Sequence, residues 1–327
     1  MNQTATGGGG DVAVAVISFN TRDILRDCLA TVMAESPREV VVVDNGSTDG
    51  SIEMVRQEFP AVRLVVDESN PGYGAACNRA VAECAAAYVF LLNSDTLLRR
   101  GTLRALLDYM DAHPRAAMVG PRLVNRDGSL QPSCFAFPSA TFLVVEHSSL
   151  RPLAGAIPPM RRHFFIGWPH DEARAVPWVM GAALVIRRSA YEPVGGFDPT
   201  FHMYCEEVDL AYRLAKAGWE THFAPVADVT HLGGASTSKR WQPMRVRYFR
   251  SLVQFCATHH PLRSALRTAT TLRAMVRLKL LLDRVQRLAL RDADARRAVD
   301  ARLAVWRELL RLPLANEVRA VHDRHVA

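Results

Sequence analysis

The sequence predicts an α/β protein whose mostly parallel sheet is flanked by helices and followed by a basic helical appendage. Short apolar runs without polar alternation are typical of strands buried on both faces, as in parallel sheets. Segments with helical spacing of apolar residues separate these runs, which favours right-handed crossovers and parallel pairing. The charge also changes along the chain. Residues 239–327 hold 20 basic and 7 acidic side chains, and the preceding residues hold 20 and 26.

The first two predicted strands are each followed by a polar loop and a helix. The strand at 12–17 leads into a helix for which Thr21 is a candidate cap. The strand at 40–43 ends in Asp44 and a Gly-rich loop, and a helix around 52–59 follows. This repeated order indicates that the polar loops lie at one edge of the sheet.

The next two strands complete the expected parallel part. After the strand at 62–66 come the loop 70–74 and an Ala-rich helix. The continuous apolar strand at 87–92 then ends abruptly in Asn93-Ser94-Asp95. Ligands of open α/β sheets bind at the carboxyl edge of the strands, so Asp95 is a candidate site residue. A helix cap or turn is the alternative role for such an Asp.

The later part of the chain is less regular. A helix at 102–112 and a strand at 118–124 continue the sheet, and Asp127-Gly128 predicts a hairpin turn. Another buried strand is expected over Trp178–Ile186, and a helix from near Cys205 to Gly218. Residues 131–177 are rich in Pro and aromatic residues, and their pattern predicts no elements.

The composition limits the class of protein. At 327 residues with 49% hydrophobic and 22% charged residues, the chain is a folded globular protein. Its six cysteines lack the paired short spacing of a zinc knuckle or redox dithiol, which fits a reducing compartment. Residues 1–10 are polar and Gly-rich, so we expect a flexible leader and no signal peptide. No apolar window is long enough for a membrane span.

The basic C-terminal residues, 261–327, are predicted to form an amphipathic helical tail beyond a domain at 11–260. Two stripes at helical spacing support this: one of Arg273, Arg277, Arg284, Arg287 and Arg291, the other of Met275, Leu278, Leu282, Val285 and Leu288. Such a helix either lies on an anionic membrane surface or packs on a partner. A solvated appendage is the alternative.

Four polar clusters are expected to meet at the carboxyl edge of the sheet. They are Asp44, the loop and helix start from Asn70 to Arg79, Asp95, and the run Glu206-Glu207-Val208-Asp209 together with His231. Gly72-Tyr73-Gly74 before a helix lets backbone N–H groups approach a phosphate. Carboxylate and imidazole groups suit Mg²⁺ or Mn²⁺ when a diphosphate completes the shell.

The acidic run at 206–209 allows two interpretations. Carboxylates in the first turn of a helix are stabilised by the helix dipole, which is a capping role. Carboxylates this close also raise one another's pKa, which suits a general base. The residues alone leave both open.

Six ordered segments carry a family resemblance. They are Val16-Ile17-Ser18-Phe19-Asn20, the stretch from Val41 to Gly50, the stretch from Asn70 to Arg79, Leu91-Leu92-Asn93-Ser94-Asp95-Thr96, the stretch from Gly195 to Leu210, and His231-Leu232-Gly233-Gly234. Their order resembles the family-two inverting glycosyltransferases, and most closely the rhamnosyltransferase-like branch. The resemblance covers about residues 11–260 and implies a GT-A fold, a nucleotide-sugar donor and a divalent metal, Mg²⁺ or Mn²⁺.

The resemblance also implies roles for individual residues. Glu207 stands where the family has its catalytic base, with Glu206 and Asp209 as alternatives. Asp95 and His231 take the metal-binding positions. The donor-binding positions are Asp44, Asn70, Gly72, Asn78, Arg79 and Ser94. Trp178, Met180 and Gly181 match a segment near the acceptor, on whose side Asp209 is also placed.

The resulting hypothesis is transfer of a sugar, L-rhamnose from dTDP-rhamnose, to a glycan or lipid-linked acceptor at the cytoplasmic side of a membrane, with no nucleic-acid partner. A nucleotidyltransferase is disfavoured because no Gly-rich, Arg-containing loop follows the first strand. An inactive protein that binds partners or anionic surfaces through its basic tail is the non-enzymatic alternative.

Overall fold

A computed structural model of the chain describes residues 11–233 and 241–326. Residues 1–10, for which a flexible leader is expected, lie outside the described residues. The described chain divides into two compact units. The first unit comprises 11–135, 168–202 and 206–233, and the second comprises 136–167, 203–205 and 241–326.

Every strand found in residues 11–233 and 241–326 lies in the first unit. They are β1 (Val12–Ser18), β2 (Glu39–Asp44), β3 (Arg63–Val66), β4 (Tyr88–Asn93), β5 (Thr96–Leu98), β6 (Ala116–Val124), β7 (Leu130–Gln131), β8 (Cys134–Phe135), β9 (Arg174–Val176), β10 (Trp178–Val179), β11 (Ala183–Arg187) and β12 (Glu220–His231). Its helices are α1 (Arg22–Met33), α2 (Ser51–Glu58), α3 (Tyr73–Ala82), α4 (Thr102–Ala112), α8 (Arg188–Tyr191) and α9 (Glu206–Lys216).

The large sheet has the strand order β3-β2-β1-β4-β11-β6-β12-β5, with β7 beside β6 and β9 beside β12. Strands β3, β2, β1 and β4 are mutually parallel, and β12 is parallel to β6. Strand β11 enters between β4 and β6 and is antiparallel to both. The predicted α/β fold with a mostly parallel sheet is confirmed.

Burial on both faces explains the uninterrupted apolar runs. Every residue of β1 is buried, and so are the last five of β2. On one face Val14 and Phe90 pack with Leu106 and Met110 of helix α4 in the main hydrophobic core. Apolar burial of this kind contributes about 25 cal/mol per Å² of surface removed from water.

The register of the parallel strands aligns their carboxyl ends. Ser18 of β1 pairs with Asp44 of β2, and Ile17 pairs with Asn93 of β4. The three strands therefore end within one residue of one another. This alignment brings the loops after Asp44 and Asn93 to the same edge.

The strand predicted over Trp178–Ile186 is wrong as a single element. Strand β10 pairs with β8 in a separate two-stranded sheet, whereas β11 joins the large sheet. The break lies between them, where the Met180 N–H donates to the Ser133 carbonyl at 2.8 Å. The Gly181 carbonyl there accepts from the Tyr73 hydroxyl at 2.6 Å. A run of apolar residues cannot reveal such a break, because both parts are buried.

The hairpin turn predicted at Asp127-Gly128 is confirmed. Strands β6 and β7 pair antiparallel across it, and the Asn125 N–H donates to the Ser129 carbonyl at 2.8 Å. The turn brings Gln131 back beside the end of β12. Residues 131–177, for which the sequence predicts no elements, contain β8, β9 and three short helices of the second unit.

The second unit is helical. Its helices are α5 (Ala140–His147), α6 (Arg151–Gly155), α7 (Pro158–His163), α10 (Trp241–His259), α11 (Leu262–Ala289), α12 (Ala293–Arg311) and α13 (Leu314–Val326). Asp283 of α11 accepts hydrogen bonds from Arg302 at 2.8 Å and from the Trp306 indole at 2.7 Å, which joins α11 to α12. Over the described ranges, every helix is too short or too polar to span a membrane.

Candidate active site

The loop after β2 is built around a buried carboxylate. Asp44 is 1% exposed and accepts hydrogen bonds from the Ser47 N–H at 2.7 Å and the Ser47 hydroxyl at 2.8 Å. The next residue, Asn45, donates its N–H to the Ser18 carbonyl at 2.9 Å. Among the described residues the buried Asn45 Oδ1 has no hydrogen-bond partner. The loop is thus fixed at the edge of the sheet, with one buried polar atom that accepts no hydrogen bond from the described residues.

The loop before helix α3 is held by contacts within the protein. Gly72 has a φ of +103°, and a Cβ at this position would lie 2.2 Å from the His202 carbonyl oxygen. The Tyr73 N–H donates to that same oxygen at 3.0 Å. Gly72 is therefore required for the close approach of His202, and the Tyr73 N–H serves this contact and not a phosphate. Asn70, with a φ of +47°, forms the turn before it.

Asn78 and Arg79, expected in the donor site, have partners elsewhere. The Asn78 amide donates to the Phe197 carbonyl at 2.8 Å, and its oxygen accepts from the Phe197 N–H at 2.9 Å and from the Tyr191 hydroxyl. Arg79 is exposed and pairs with Glu83 at 3.0 Å. We therefore leave both out of the donor site that we propose below.

Asp95 and His231 lie side by side at the edge. Strand β12 pairs with β5 so that His231 is opposite Thr96, and the Leu232 N–H donates to the Asp95 carbonyl at 2.9 Å. Asp95 Oδ1 is 3.3 Å from His231 Nε2, and both side chains are buried. The preceding Ser94 hydroxyl accepts from Thr21 at 2.8 Å. Two residues that are 136 positions apart are thus brought into direct contact.

A chain of hydrogen bonds fixes the tautomer of His231. The Asp127 carboxylate accepts from the Ser129 hydroxyl at 2.6 Å, and that hydroxyl accepts from the Asn125 amide at 2.9 Å. The Asn125 oxygen accepts from Gln131 Nε2 at 2.9 Å. This leaves Gln131 Oε1 to accept from His231 Nδ1 at 2.7 Å. With the proton on Nδ1, Nε2 is the ring nitrogen that faces Asp95.

The sequence interpretation overlooked Gln131. It falls at the start of the segment that shows no periodicity, and nothing in the order of residues links it to His231. The signal that leads to it is the Asp127-Gly128 turn, which reverses the chain toward β12.

Glu206 and Glu207 begin helix α9 with little contact to water. Glu206 is 5% exposed and Glu207 is partly buried. The Oε2 atom of each is buried without a hydrogen-bond partner among the described residues. Burial, and then the charge of Glu207, raise the pKa of Glu206 well above its ordinary value.

Opposing effects set the pKa of Glu207. Burial raises its pKa to about 7, while hydrogen bonds from the backbone N–H groups of Glu207, Gly181 and Val208 oppose the rise. A Cβ on Gly181 would be 3.7 Å from the Glu207 side chain and 3.6 Å from the Tyr73 ring. Tyr73, to which the sequence interpretation gave no role of its own, thus borders the same pocket of side chains.

The other acidic residue of this turn, Asp209, forms an ion pair inside the protein. It is 1% exposed and accepts from Arg213 Nε at 2.8 Å. Arg213 also donates to the carbonyls of Val194 at 2.6 Å and Gly196 at 2.7 Å. Asp209 therefore anchors helix α9 to this loop, which disfavours it as a base and as an acceptor-side residue.

One backbone contact joins the Glu207 and Asp95 groups. The Asn93 N–H at the end of β4 donates to the Ala182 carbonyl at 2.9 Å. Asn93 is two residues before Asp95, and Ala182 follows Gly181. Glu207, which lies beside Gly181, is thereby linked through Ala182 to the end of β4, two residues before Asp95. Trp178 is half-buried against Phe135, with ring centroids 5.1 Å apart, and Met180 packs on the core.

Comparison with known proteins identifies the family. A family model described as "Glycosyltransferase like family 2" matches residues 9–252, which is more than half of the chain. The chain belongs to this glycosyltransferase family. It is 32% identical over 306 residues to the N-acetylglucosaminyl-diphospho-decaprenol L-rhamnosyltransferase of Mycobacterium tuberculosis, an alignment that covers 86% of this chain and 98% of that protein. The resemblance to the rhamnosyltransferase-like branch is confirmed.

More distant relatives agree with this assignment. The glycosyltransferase is 20% identical over 239 residues to rhamnosyltransferase WbbL of Escherichia coli K12, covering 67% of this chain and 83% of WbbL. It matches the mannosyltransferase PcManGT of Pyrobaculum calidifontis, solved with GDP-Man and Mn²⁺, with a TM-score of 0.54 and 19% identity over 98% of this chain and 88% of that one. For GalNAc-T7, solved with UDP, GalNAc and Mn²⁺, the TM-score is 0.54 and the identity 15%, over 76% and 48%. These matches confirm the GT-A fold of the glycosyltransferase.

Proposed function

We propose that this glycosyltransferase moves a sugar, with inversion, from a nucleotide-sugar donor to a hydroxyl of a glycan or lipid-linked acceptor. We further propose dTDP-L-rhamnose as the donor. The relative from M. tuberculosis is named for rhamnosyl transfer and for a diphospho-decaprenol, and it aligns with most of this chain. An acceptor of this class places the enzyme in cell-wall or polysaccharide synthesis, at the cytoplasmic face of the plasma membrane.

The carboxylate of Glu207 is the observation that carries the proposal. Its pKa near 7 lets it accept a proton from the attacking hydroxyl at neutral pH. Its Oε2 atom has no hydrogen-bond partner among the described residues, so a substrate hydroxyl can bind there. Burial and the charge of Glu207 raise the pKa of Glu206 well above its ordinary value, which favours Glu207 as the charged member of the pair. A single base in a direct displacement inverts the anomeric carbon.

Asp95 and His231 fit a divalent metal. A carboxylate oxygen and an imidazole nitrogen face each other at 3.3 Å, both are metal-ligand types, and a shared cation would bind between them. Over residues 11–233 and 241–326 no three His, Cys, Asp or Glu side chains cluster as ligands, so oxygens of the donor diphosphate would complete the shell. Bound there, Mg²⁺ or Mn²⁺ would stabilise the charge of the leaving diphosphate.

The remaining roles follow from position at the edge. We propose that Asp44 and the adjacent Asn45 contact the base or ribose of the donor, with Ser94 and Asn70 beside them. Gly181 holds Glu207 through its N–H, and Trp178 and Met180 border the acceptor side. Each of these residues belongs to the first unit, which therefore carries the whole proposed site.

The proposal is tested by nucleoside diphosphate release from dTDP-L-rhamnose, UDP-glucose and GDP-mannose, with and without Mn²⁺. We expect turnover with dTDP-L-rhamnose that falls by about 10²–10⁴ in Glu207→Gln and comparably in Asp95→Ala. Glu53→Gln is the matched control, because Glu53 is exposed and also lies in the first turn of a helix. Full activity of Glu207→Gln contradicts the assigned base, and turnover with another donor only contradicts the assigned sugar.

A further inference from the structure

Helix α11 of the second unit changes character along its length. Its buried residues, Ala265, Thr268, Ala269, Leu272 and Val276, all lie in the first fifteen positions. Beyond them, five large apolar side chains are exposed. Leu278 is 56% exposed, Leu281 58%, Leu282 58%, Val285 59% and Leu288 86%. We call these five residues the apolar ridge.

The ridge is continuous, not a scatter of exposed side chains. At 100° per residue its members fall within an arc of about 120°, so they form one stripe along about three turns of helix. Single exposed apolar residues are ordinary, but a contiguous stripe marks an interaction site. In the described part of the first unit, Met33 and Val226 are the exposed large apolar residues, and they are far apart in sequence.

The charges beside the ridge have one sign. Arg277 and Arg284 lie seven residues apart along one side of the stripe, and Arg291 follows two residues beyond the end of the helix; each of the three is exposed. Among the described residues, none of the three has a carboxylate within ion-pair distance. The sole acidic residue of α11 is Asp283, whose side chain is 13% exposed and bound to Arg302.

The arginine stripe predicted from the sequence divides in the structure. Arg273 donates to the Leu312 carbonyl at 3.2 Å, and Arg287 pairs with Asp300 at 2.9 Å. These two arginines connect helices of the second unit. The arginines beside the ridge are therefore the ones available to a partner.

We propose that the apolar ridge docks on the surface of an anionic lipid bilayer, with the end of α11 lying in the plane of the interface. An amphipathic helix of this kind buries its apolar face at the headgroup boundary while its basic residues meet anionic headgroups. The apolar ridge is thus the surface that holds the enzyme at the membrane. Only the choice of membrane rests on the proposed function.

Two other occupants fit the surface less well. Nucleic acid would match the arginines but offers no apolar surface to the ridge. A second copy of the chain would match the ridge, but it would bring a second row of arginines without carboxylates to pair with them. A bilayer rich in acidic lipid matches both features. Leu150, Leu153 and Ile157, exposed beside Arg161 and Arg162, provide a second apolar and basic stretch in the same unit.

The test is flotation of the full-length protein with vesicles of phosphatidylcholine alone or of equal parts phosphatidylcholine and phosphatidylglycerol. We expect binding to the mixed vesicles, weakened by salt. The variant Leu281→Ser/Leu282→Ser/Val285→Ser should bind at least about 10-fold less tightly, because three apolar contacts are lost. Its side chains are exposed, so its fold should be unchanged.

The matched control is Met33→Ser/Val226→Ser, which removes exposed apolar side chains from the first unit and should bind as the unaltered protein does. Equal vesicle binding by the ridge variant overturns the proposal. Failure of the unaltered protein to float with the mixed vesicles also overturns it. If the unaltered protein is then a dimer and the ridge variant is not, the ridge is the contact between two copies of the chain. Nucleoside diphosphate release with a water-soluble acceptor, measured on the same variants, should be unaffected by the ridge, so failure of the docking and failure of the transfer reaction are separate results.

Discussion

A carboxylate that accepts a proton near neutral pH needs a pKa near 7, so its surroundings must destabilise the charged form only in part. Glu207 meets this condition because burial raises its pKa while three backbone N–H groups still stabilise the charged form. Burial and the charge of Glu207 raise the pKa of Glu206 well above its ordinary value, and one backbone hydrogen bond opposes the rise. The two neighbouring glutamates thus differ in their surroundings.

The rate of transfer should depend on the ionisation of Glu207. Because the carboxylate must be deprotonated to act as the base, kcat/KM should fall about tenfold per pH unit below about 7. The pH profile is measured by nucleoside diphosphate release between pH 5 and 9. A profile that stays flat down to pH 5 would contradict the role of Glu207.

The same pKa predicts a dependence of stability on pH. The pKa of Glu207 rises from 4.5 to about 7 on folding, so the folded state binds more protons and the free energy of unfolding falls as pH increases through this range. Replacing the Glu207 carboxylate by a neutral group should restore the free energy of unfolding that is lost. Relative to the unaltered protein, Glu207→Gln should gain about 1–3 kcal/mol between pH 5 and pH 8, measured by urea denaturation. Glu53→Gln should show no such gain.

Gln131 should control the metal site through His231. Gln131→Leu removes the acceptor that holds the proton on Nδ1, so the Nε2 lone pair is no longer directed to Asp95. We expect Mn²⁺ affinity, measured by electron paramagnetic resonance with nucleoside diphosphate present, to fall about 10–100-fold. Gln131→Glu keeps an acceptor oxygen and should retain most of the affinity. An unchanged affinity in Gln131→Leu would show that the tautomer is set elsewhere.

At the scale of elements, helix α3 depends on one glycine. Gly72 combines a φ of +103° with the contact to His202, so no side chain can be accommodated without moving the loop. Gly101, at a φ of +85°, begins helix α4 with nothing within 4 Å of an added Cβ. The two positions therefore separate the cost of the backbone conformation from the cost of the contact.

Gly72→Ala should lower the free energy of unfolding by at least about 3 kcal/mol, whereas Gly101→Ala should lower it by about 1 kcal/mol. Urea denaturation of the two variants measures both values. Equal losses would mean that the loop around His202 moves freely enough to admit the methyl group.

The elements differ in how far the sequence predicts them. Strands β1, β2 and β4 follow from their uninterrupted apolar runs, because strands that are covered on both faces of a parallel sheet require them. The break before Ala183 does not follow, since it depends on hydrogen bonds to Ser133 and Tyr73 that are remote in sequence. Gln131 was missed for the same reason. Local sequence patterns predict which residues are buried, but they do not predict hydrogen bonds between segments that are distant in sequence.

At the scale of the whole molecule, all six cysteines are buried. Burial raises the pKa of Cys28, Cys84, Cys134 and Cys256 to about 12, and that of Cys77 well above its ordinary value. Few thiolates exist at pH 8, and reagents cannot reach them. The sulfur atoms therefore serve packing.

We expect no thiol of the native protein to react with Ellman's reagent at pH 8 within minutes, and all six to react after unfolding in guanidinium chloride. The released thionitrobenzoate is measured by absorbance. Rapid reaction of even one equivalent in the native state would contradict the burial described above.

The order of strands has a consequence for synthesis on the ribosome. Strand β11, residues 183–187, inserts between β4 and β6, and β12 pairs with β6 some hundred residues later. Until Arg187 has left the exit tunnel, the open side of β4 has no neighbour on the nascent chain. During this interval the amino-terminal half has an unpaired strand edge. A chaperone that binds it then would protect it from aggregation.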